Sequence, residues 1–280
     1  MALALSTIHW TAKTPSGSIV RPLISYQKAN NAAQVSYTHS DMHYRSLTIP
    51  LVAFTLFLLA SSGRAAEPGT TRGVIEIPNP QPPADALQLV SPKGYNLVPE
   101  TEGRNGWTFT NGVLTAPVGW DSLLTRKAYQ DFRMHVEFNV NETNDTEDRE
   151  SNGNSGIYIQ QRYEVQILNS YGIAEEDYKA SYCGSLYRLK KPDQLVCKKA
   201  GEWQSYDIVF RAARFENQQK IENARITVYQ NQQLIHDDFA IPTKTGAGKK
   251  EGPEALPIKL QGHNNPVQFR NVWIQELELK

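Results

Sequence analysis

Hydrophobic and polar positions alternate with a period of two along much of the second half of the chain. Between Tyr129 and Asn139 (YQDFRMHVEFN), Phe132, Met134, Val136 and Phe138 fall on one face of an extended segment. Arg133, His135, Glu137 and Asn139 fall on the other. This is the signature of a strand with one buried side. The style recurs at Trp203–Phe210, Ala224–Tyr229, Gln233–Phe239 and Val267–Leu277, with shorter runs at Trp107–Phe109, Val113–Thr115 and Leu123–Thr125. Asn111-Gly112 is a strong hairpin cue, and Gln230-Asn231-Gln232 supplies a second turn. Helical periodicity of more than a turn or two is confined to Ile173–Ala180. Many short strands joined by turns predict an all-β fold, a β-sandwich or jelly roll.

The richest stretch is Asn152–Gly172, NGNSGIYIQQRYEVQILNSYG. It predicts two strands, Gly156–Gln160 and Arg162–Leu168, fenced by Gly, Asn and Ser. Tyr163, Val165 and Ile167 point one way and can pack a core. Arg162, Glu164 and Gln166 point the other way, setting a guanidinium, a carboxylate and an amide about 7 Å apart. Such a row is either a solvated outer face or a surface that grips a polar ligand.

The beginning of the chain reads differently. Met42-His43-Tyr44-Arg45 is a short positive lead, Leu47–Ala60 is apolar, and small residues precede a cut after Ala65. Together they predict a secretory signal peptide over 42–65. The apolar run is short for a membrane span, so a retained anchor is the weaker alternative and no stable membrane insertion is expected after cleavage. Residues 1–41 then read as an upstream extension, with translation starting at Met42. Residues 66–93 (IPNPQPPADA within them) read as a Pro-rich linker or edge segment, and 94–280 as the globular domain.

All 280 residues together have 29 basic and 29 acidic side chains. Residues 1–65 hold five of the basic and one of the acidic groups, which leaves the remainder at net −4. A mildly acidic chain without a basic stripe argues against nucleic acid as a partner. The expected location is exported, periplasmic or extracellular.

Cys183 and Cys197 are the two cysteines. In an oxidising compartment a disulfide is the expected state, with two buried thiols as the alternative. Asn144–Asn154 (NDTEDRESNGN) is oxygen-rich, either a solvated acidic loop or a place for a hard cation such as Ca²⁺. No further cofactor is expected. His263 lies on a turn beside Asn264, Asn265 and Pro266, ahead of a strand holding Arg270. A loop His there is either a turn residue or a proton-transfer group. Trp203 is either a core ring or a sugar-stacking one.

Four segments in order, NSGIYIQQRYEVQILNSYG, GEWQSYDIVFRAARF, ITVYQNQQLIHD and LQGHNNPVQFRNVWIQEL, resemble the 3-keto-disaccharide hydrolase domain, long called a domain of unknown function. The resemblance covers roughly Gly94–Lys280. It implies a concanavalin/laminarin-lectin-like jelly roll that acts on small carbohydrates oxidised at carbon 3. A ketone at C3 acidifies the C2 proton, so a base can remove it while the C1 substituent leaves, and water then adds to the enone. Such a site needs a base, an acid and a group that steadies the enolate. By motif position, the resemblance gives Glu164 as base or acid and His263 as its partner. Arg162 and Gln166 would bind the sugar or steady the enolate, with Asn154, Trp203 and Arg270 as further contacts. A divalent cation could replace Arg162.

The chain departs from the family pattern at Asn169, where an acid is usual, and at Asn231-Gln232, where Asn-Gly is usual. The first departure keeps open a second reading, a non-catalytic carbohydrate-binding module on the same fold.

Overall fold

The computed structural model of the chain describes residues 80–119, 121–141 and 152–279, together with the backbone of five short strands before residue 51. The chain forms two units, Met1–Gly73 and Val74–Lys280. In the first, β1 (Ala12–Lys13) pairs with β2 (Ile19–Val20), and β3 (Leu23–Ser25), β4 (Ala32–Ser36) and β5 (Leu47–Pro50) form an antiparallel sheet. Apart from β5, the expected signal segment lies outside the described residues. So do residues 66–79 and most of the acidic loop, 142–151.

The second unit opens with β6 (Leu87–Ser91), β7 (Gly94–Tyr95), β8 (Leu97–Pro99), β9 (Thr108–Thr110) and β10 (Val113–Thr115). Then come β11 (Leu123–Tyr129), β12 (Phe132–Asn139), β13 (Ser155–Ile159), β14 (Tyr163–Ile167) and β15 (Gln204–Arg211). β16 (Arg214–Glu216), β17 (Gln219–Glu222), β18 (Ala224–Gln230), β19 (Gln233–Ile241), β20 (Leu256–Leu260) and β21 (Gln268–Glu276) complete the set.

Two sheets matter for the site. The nine-stranded one runs β19-β18-β15-β12-β21-β10-β9, with β6 added on β21 and β7 on β6. The five-stranded one runs β14-β13-β20-β11-β8. Their pairings are antiparallel throughout. This is the β-sandwich that the alternating pattern predicts. Phe132, Met134, Val136 and Phe138 face inward from β12, and Ile157, Ile159, Tyr163, Val165, Ile167, Ile258 and Leu260 face them from the other sheet, all 0–1% exposed. Tyr163 and Phe210 meet across the core with ring centroids 5.5 Å apart. The Tyr206 hydroxyl donates to the Gln166 carbonyl at 2.6 Å, tying the two sheets together.

Some expectations change. The run Tyr129–Asn139 is broken at Gln130-Asp131, so Tyr129 ends β11 in one sheet and Phe132 opens β12 in the other. The buried Asp131 carboxylate fixes that corner, accepting from the Arg214 guanidinium at 2.5 and 2.9 Å and from the Ala212 amide at 2.9 Å. Ile173–Ala180 holds only a 3-10 turn, Glu175–Asp177, with none of its residues buried. It has no apolar stripe to pack, and an isolated helix of that length is not stable. Leu87–Ser91, which the sequence places in the Pro-rich edge segment, is a full member of the large sheet and buries Leu89 and Val90. Cys183 and Cys197 are free thiols, with Cys183 Sγ 3.2 Å from the Tyr206 hydroxyl and Cys197 Sγ 3.8 Å from the Leu168 carbonyl oxygen.

Candidate active site on the small sheet

Gln160 and Gln161 both have positive φ, 49° and 53°, and with Arg162 they form the three-residue turn between β13 and β14. That turn sets the register Ile159↔Tyr163, Tyr158↔Glu164 and Gly156↔Gln166. β20 lies on the other side of β13 and brings Lys259 opposite Tyr158. Because Ile157, Ile159, Ile258 and Leu260 turn into the core, period-two alternation turns Tyr158, Gly156, Lys259 and Gln261 outward with Glu164 and Gln166. One face of the small sheet therefore carries a carboxyl, two amides, a phenol and an ammonium.

This face is neither solvated nor open along its whole length. Glu164 and Gln166 are each 2% exposed. A backbone segment zips onto the free edge of β14. The Gln166 amide donates to the Ser185 carbonyl at 2.9 Å, and the Tyr187 amide donates to the Glu164 carbonyl at 3.1 Å. On the same strand, the Glu164 amide donates to Thr245 Oγ1 at 2.8 Å. The 245–249 loop approaches closely because it carries Gly248, where a Cβ would sit 1.9 Å from the Arg162 carbonyl oxygen.

Burial pushes the Glu164 carboxyl up to about 7, against the opposing pull of a hydrogen bond from Tyr158 and the charges of Lys259 and Arg188. Around it, Glu164 Oε2, Gln166 Oε1 and Gln261 Oε1 are buried acceptors with no hydrogen-bond donor among the described residues. Buried acceptors are costly to leave unmatched. Three on one face define a surface suited to a ligand rich in hydroxyl donors.

The expected residues divide into two groups. Gln166 Nε2 donates to Asn154 Oδ1 at 3.1 Å, and the Asn154 amide donates to Asn265 Oδ1 at 3.0 Å. Asn265 is two residues from His263, in the loop that follows β20, so Gln166 and Asn154 join Glu164 on one side of the small sheet and the His263 loop adjoins them. Burial lowers the proton affinity of His263. Asn169 lies beyond β14, where its amide hydrogen-bonds Asn152 Oδ1 at 3.5 Å.

Arg162 does not join them. It is 1% exposed, and its guanidinium donates to Glu254 Oε1, the carbonyls of Glu254 and Lys250, and Gln160 Oε1 at 2.8–3.1 Å. Trp203 and Arg270 lie across the core, on the outside of the large sheet. There Arg270 stacks 4.0 Å over the Trp203 ring and donates to Glu137 Oε2 at 2.6 Å. Glu137, His135 and Asp207 continue that ionic cluster, with His135 Nδ1 2.6 Å from Asp207 Oδ1.

The residues missed from sequence are Tyr158, Lys259, Gln261 and Arg188. A register drawn from a three-residue Gln160-Gln161-Arg162 turn finds Tyr158. Lys259 and Gln261 alternate visibly in LPIKLQG, but their pairing with β13 is long-range and leaves no local signal. Among the described residues no group of three or more His, Cys, Asp or Glu side chains is set to hold a metal ion. Nor is any helix long and apolar enough to cross a membrane.

The fold and this face define a carbohydrate-active β-sandwich. Residues 92–275 match the family described as the 3-keto-alpha-glucoside-1,2-lyase-like domain, and the chain belongs to that family. A solved Parabacteroides distasonis ATCC 8503 protein, provisionally named a glycosyl hydrolase, matches with a TM-score of 0.62 and 30% identity, over 77% of this chain and 100% of that one. A second P. distasonis structure under the same provisional name matches at 25% identity and a TM-score of 0.44, covering 61% of this chain and 90% of its own. A third stands at 15% and 0.46, covering 68% and 88%. Among curated proteins none matches the chain.

Proposed function

We propose that the protein is an exported enzyme that cleaves 3-keto-glycosides by elimination, with water adding to the enone to give net hydrolysis. The observation that carries this reading is the Glu164 carboxyl, buried beside unmatched acceptors and titrating at about 7. A carboxyl in that range takes and returns a proton near neutral pH. In the proposed reaction Glu164 removes the C2 proton, the electron pair forms the C1–C2 double bond, and the C1 oxygen leaves with its bonding pair and takes a proton from solvent, which also reprotonates C2 after water adds at C1. Lys259 and Arg188, whose charges already reach Glu164, supply the positive field for the enolate oxygen. That is the role Arg162 was expected to fill. Gln166, Asn154 and Gln261 match the sugar hydroxyls. His263, kept neutral by its burial, suits the base that deprotonates water in the hydration step.

The family's name and the solved relative's provisional name support the substrate class, and the positive lead and short apolar run at 42–65 support export. Incubating the full chain with a 3-keto-glucoside and following aglycone release tests the reading. Release by the wild type and its loss in Glu164→Gln are the expected results. Saturable binding without release would make the protein a carbohydrate-binding module and bring Asn169 forward as the reason.

A further inference from the structure

Glu164 is held from the neighbouring strand, and the way it is held bears on how it works. Its cross-strand partner is Tyr158, and the next outward position on β13 is Gly156. A Cβ at Gly156 would lie 2.4 Å from Glu164 Oε1 and 3.1 Å from its Cγ. The carboxyl thus lies flat on the strand, in space that any other residue would fill. Tyr158, 3% exposed, stands directly across from Glu164 in the strand register, and its phenol pulls the carboxyl's proton affinity down. Lys259 Nζ stands 4.5 Å from the centre of the Tyr158 ring and steadies it by a cation–π contact. Oε1 rests on Gly156, while Oε2 has no hydrogen-bond partner among the described residues.

We infer that Gly156 and Tyr158 are positioning residues that fix the Glu164 carboxyl so that its unbonded oxygen addresses the ligand. The inference rests on the proposed role of Glu164 but reads out separately from it. Gly156 acts by absence of a side chain. The atom a methyl group would strike is the far end of a flexible side chain, so the fold yields by swinging Glu164 aside rather than by moving β13. Tyr158 acts through its hydroxyl. A hydrogen bond to the ionised form favours that form, so the phenol both orients the carboxylate and restrains its rise in proton affinity.

The test uses the full chain with Tyr158→Phe and Gly156→Ala, each checked by thermal melting. Carbon-13 NMR of the glutamate side chains, with the Glu164 signal assigned against Glu164→Gln, follows the carboxyl titration. Tyr158→Phe keeps the ring under Lys259, and its Glu164 is expected to titrate roughly one pH unit higher than in the wild type. The acidic limb of kcat/KM for 3-keto-glucoside cleavage should move in the same direction. Gly156→Ala is expected to melt close to the wild type and lose about a hundredfold in turnover, as a displaced reacting group does. An unchanged titration in Tyr158→Phe, or wild-type turnover by Gly156→Ala, would overturn the inference. A shifted titration in a protein that cleaves no 3-keto-glucoside would uphold the positioning and sink the proposed reaction instead.

Discussion

At the scale of single residues, Glu164 is where stability and chemistry pull apart. Its proton affinity is raised, to about 7, because burial disfavours the charged form. Its neutral form therefore stabilises the fold below the ordinary carboxylate range, near 4.5, and that contribution is lost as pH rises through 7. Glu164→Gln is always neutral. It is expected to abolish cleavage yet melt higher than the wild type at pH 8, by about 1–3 kcal/mol, and calorimetry at pH 5 and pH 8 checks this. An equal melting difference at both pH values would remove the burial argument. Alternation alone placed Glu164 and Gln166 on one face with Tyr163, Val165 and Ile167 on the other. It could not show that the polar face is buried, because the covering segments lie 20 to 80 residues further along. Arg162 was misplaced for a related reason. It is the last residue of the hairpin turn itself, where Glu254 and the Lys250 carbonyl reach it from a distant loop.

At the scale of elements, the hairpins set which side chains meet. Asn231 and Gln232 have φ of 51° and 67°, a two-residue turn that favours Asn-Gly. The departure noted in the sequence is thus a real strain at Gln232, since L-residues resist the left-handed region. Gln232→Gly is expected to raise stability by about 1 kcal/mol, read from the urea midpoint. No gain would mean that the turn is relaxed by contacts beyond the hairpin.

The outside of the large sheet carries a different kind of pairing. His135 is burdened by burial, but the Asp207 and Glu137 carboxylates outweigh it and raise it to about 9. The stability it contributes is full below its ordinary range near 6.5 and is lost as pH climbs through about 9. His135→Gln should flatten the fall in urea midpoint between pH 6.5 and 9.5. Asp207→Asn should cost roughly 3–5 kcal/mol by breaking a buried pair. The strand pattern announced β12 and its two faces. It did not say that Trp203 and Arg270 would join this ionic cluster rather than the site, because Trp203 just precedes β15 and Arg270 sits on β21, with no local cue to the sheet each accompanies.

At the scale of the molecule, two sheets share one apolar core, and the polar groups outside it do two jobs. One outer face locks the large sheet with ion pairs, and the other gathers Glu164, Tyr158, Lys259, Gln166, Asn154, Gln261 and the His263 loop. The all-β class was legible because alternation is a local property. The pairing of β13 with both β14 and β20 was only half legible, the first through its turn and the second not at all. The central claim is that Glu164 takes the C2 proton of a 3-keto sugar. Cleavage of a 3-keto-glucoside deuterated at C2 tests it most directly. Elimination by Glu164 is expected to slow several-fold with deuterium and to release that label to water. Cleavage at the same rate for both isotopologues, with the label retained at C2, would contradict it and point to bond breaking at C1 without proton abstraction.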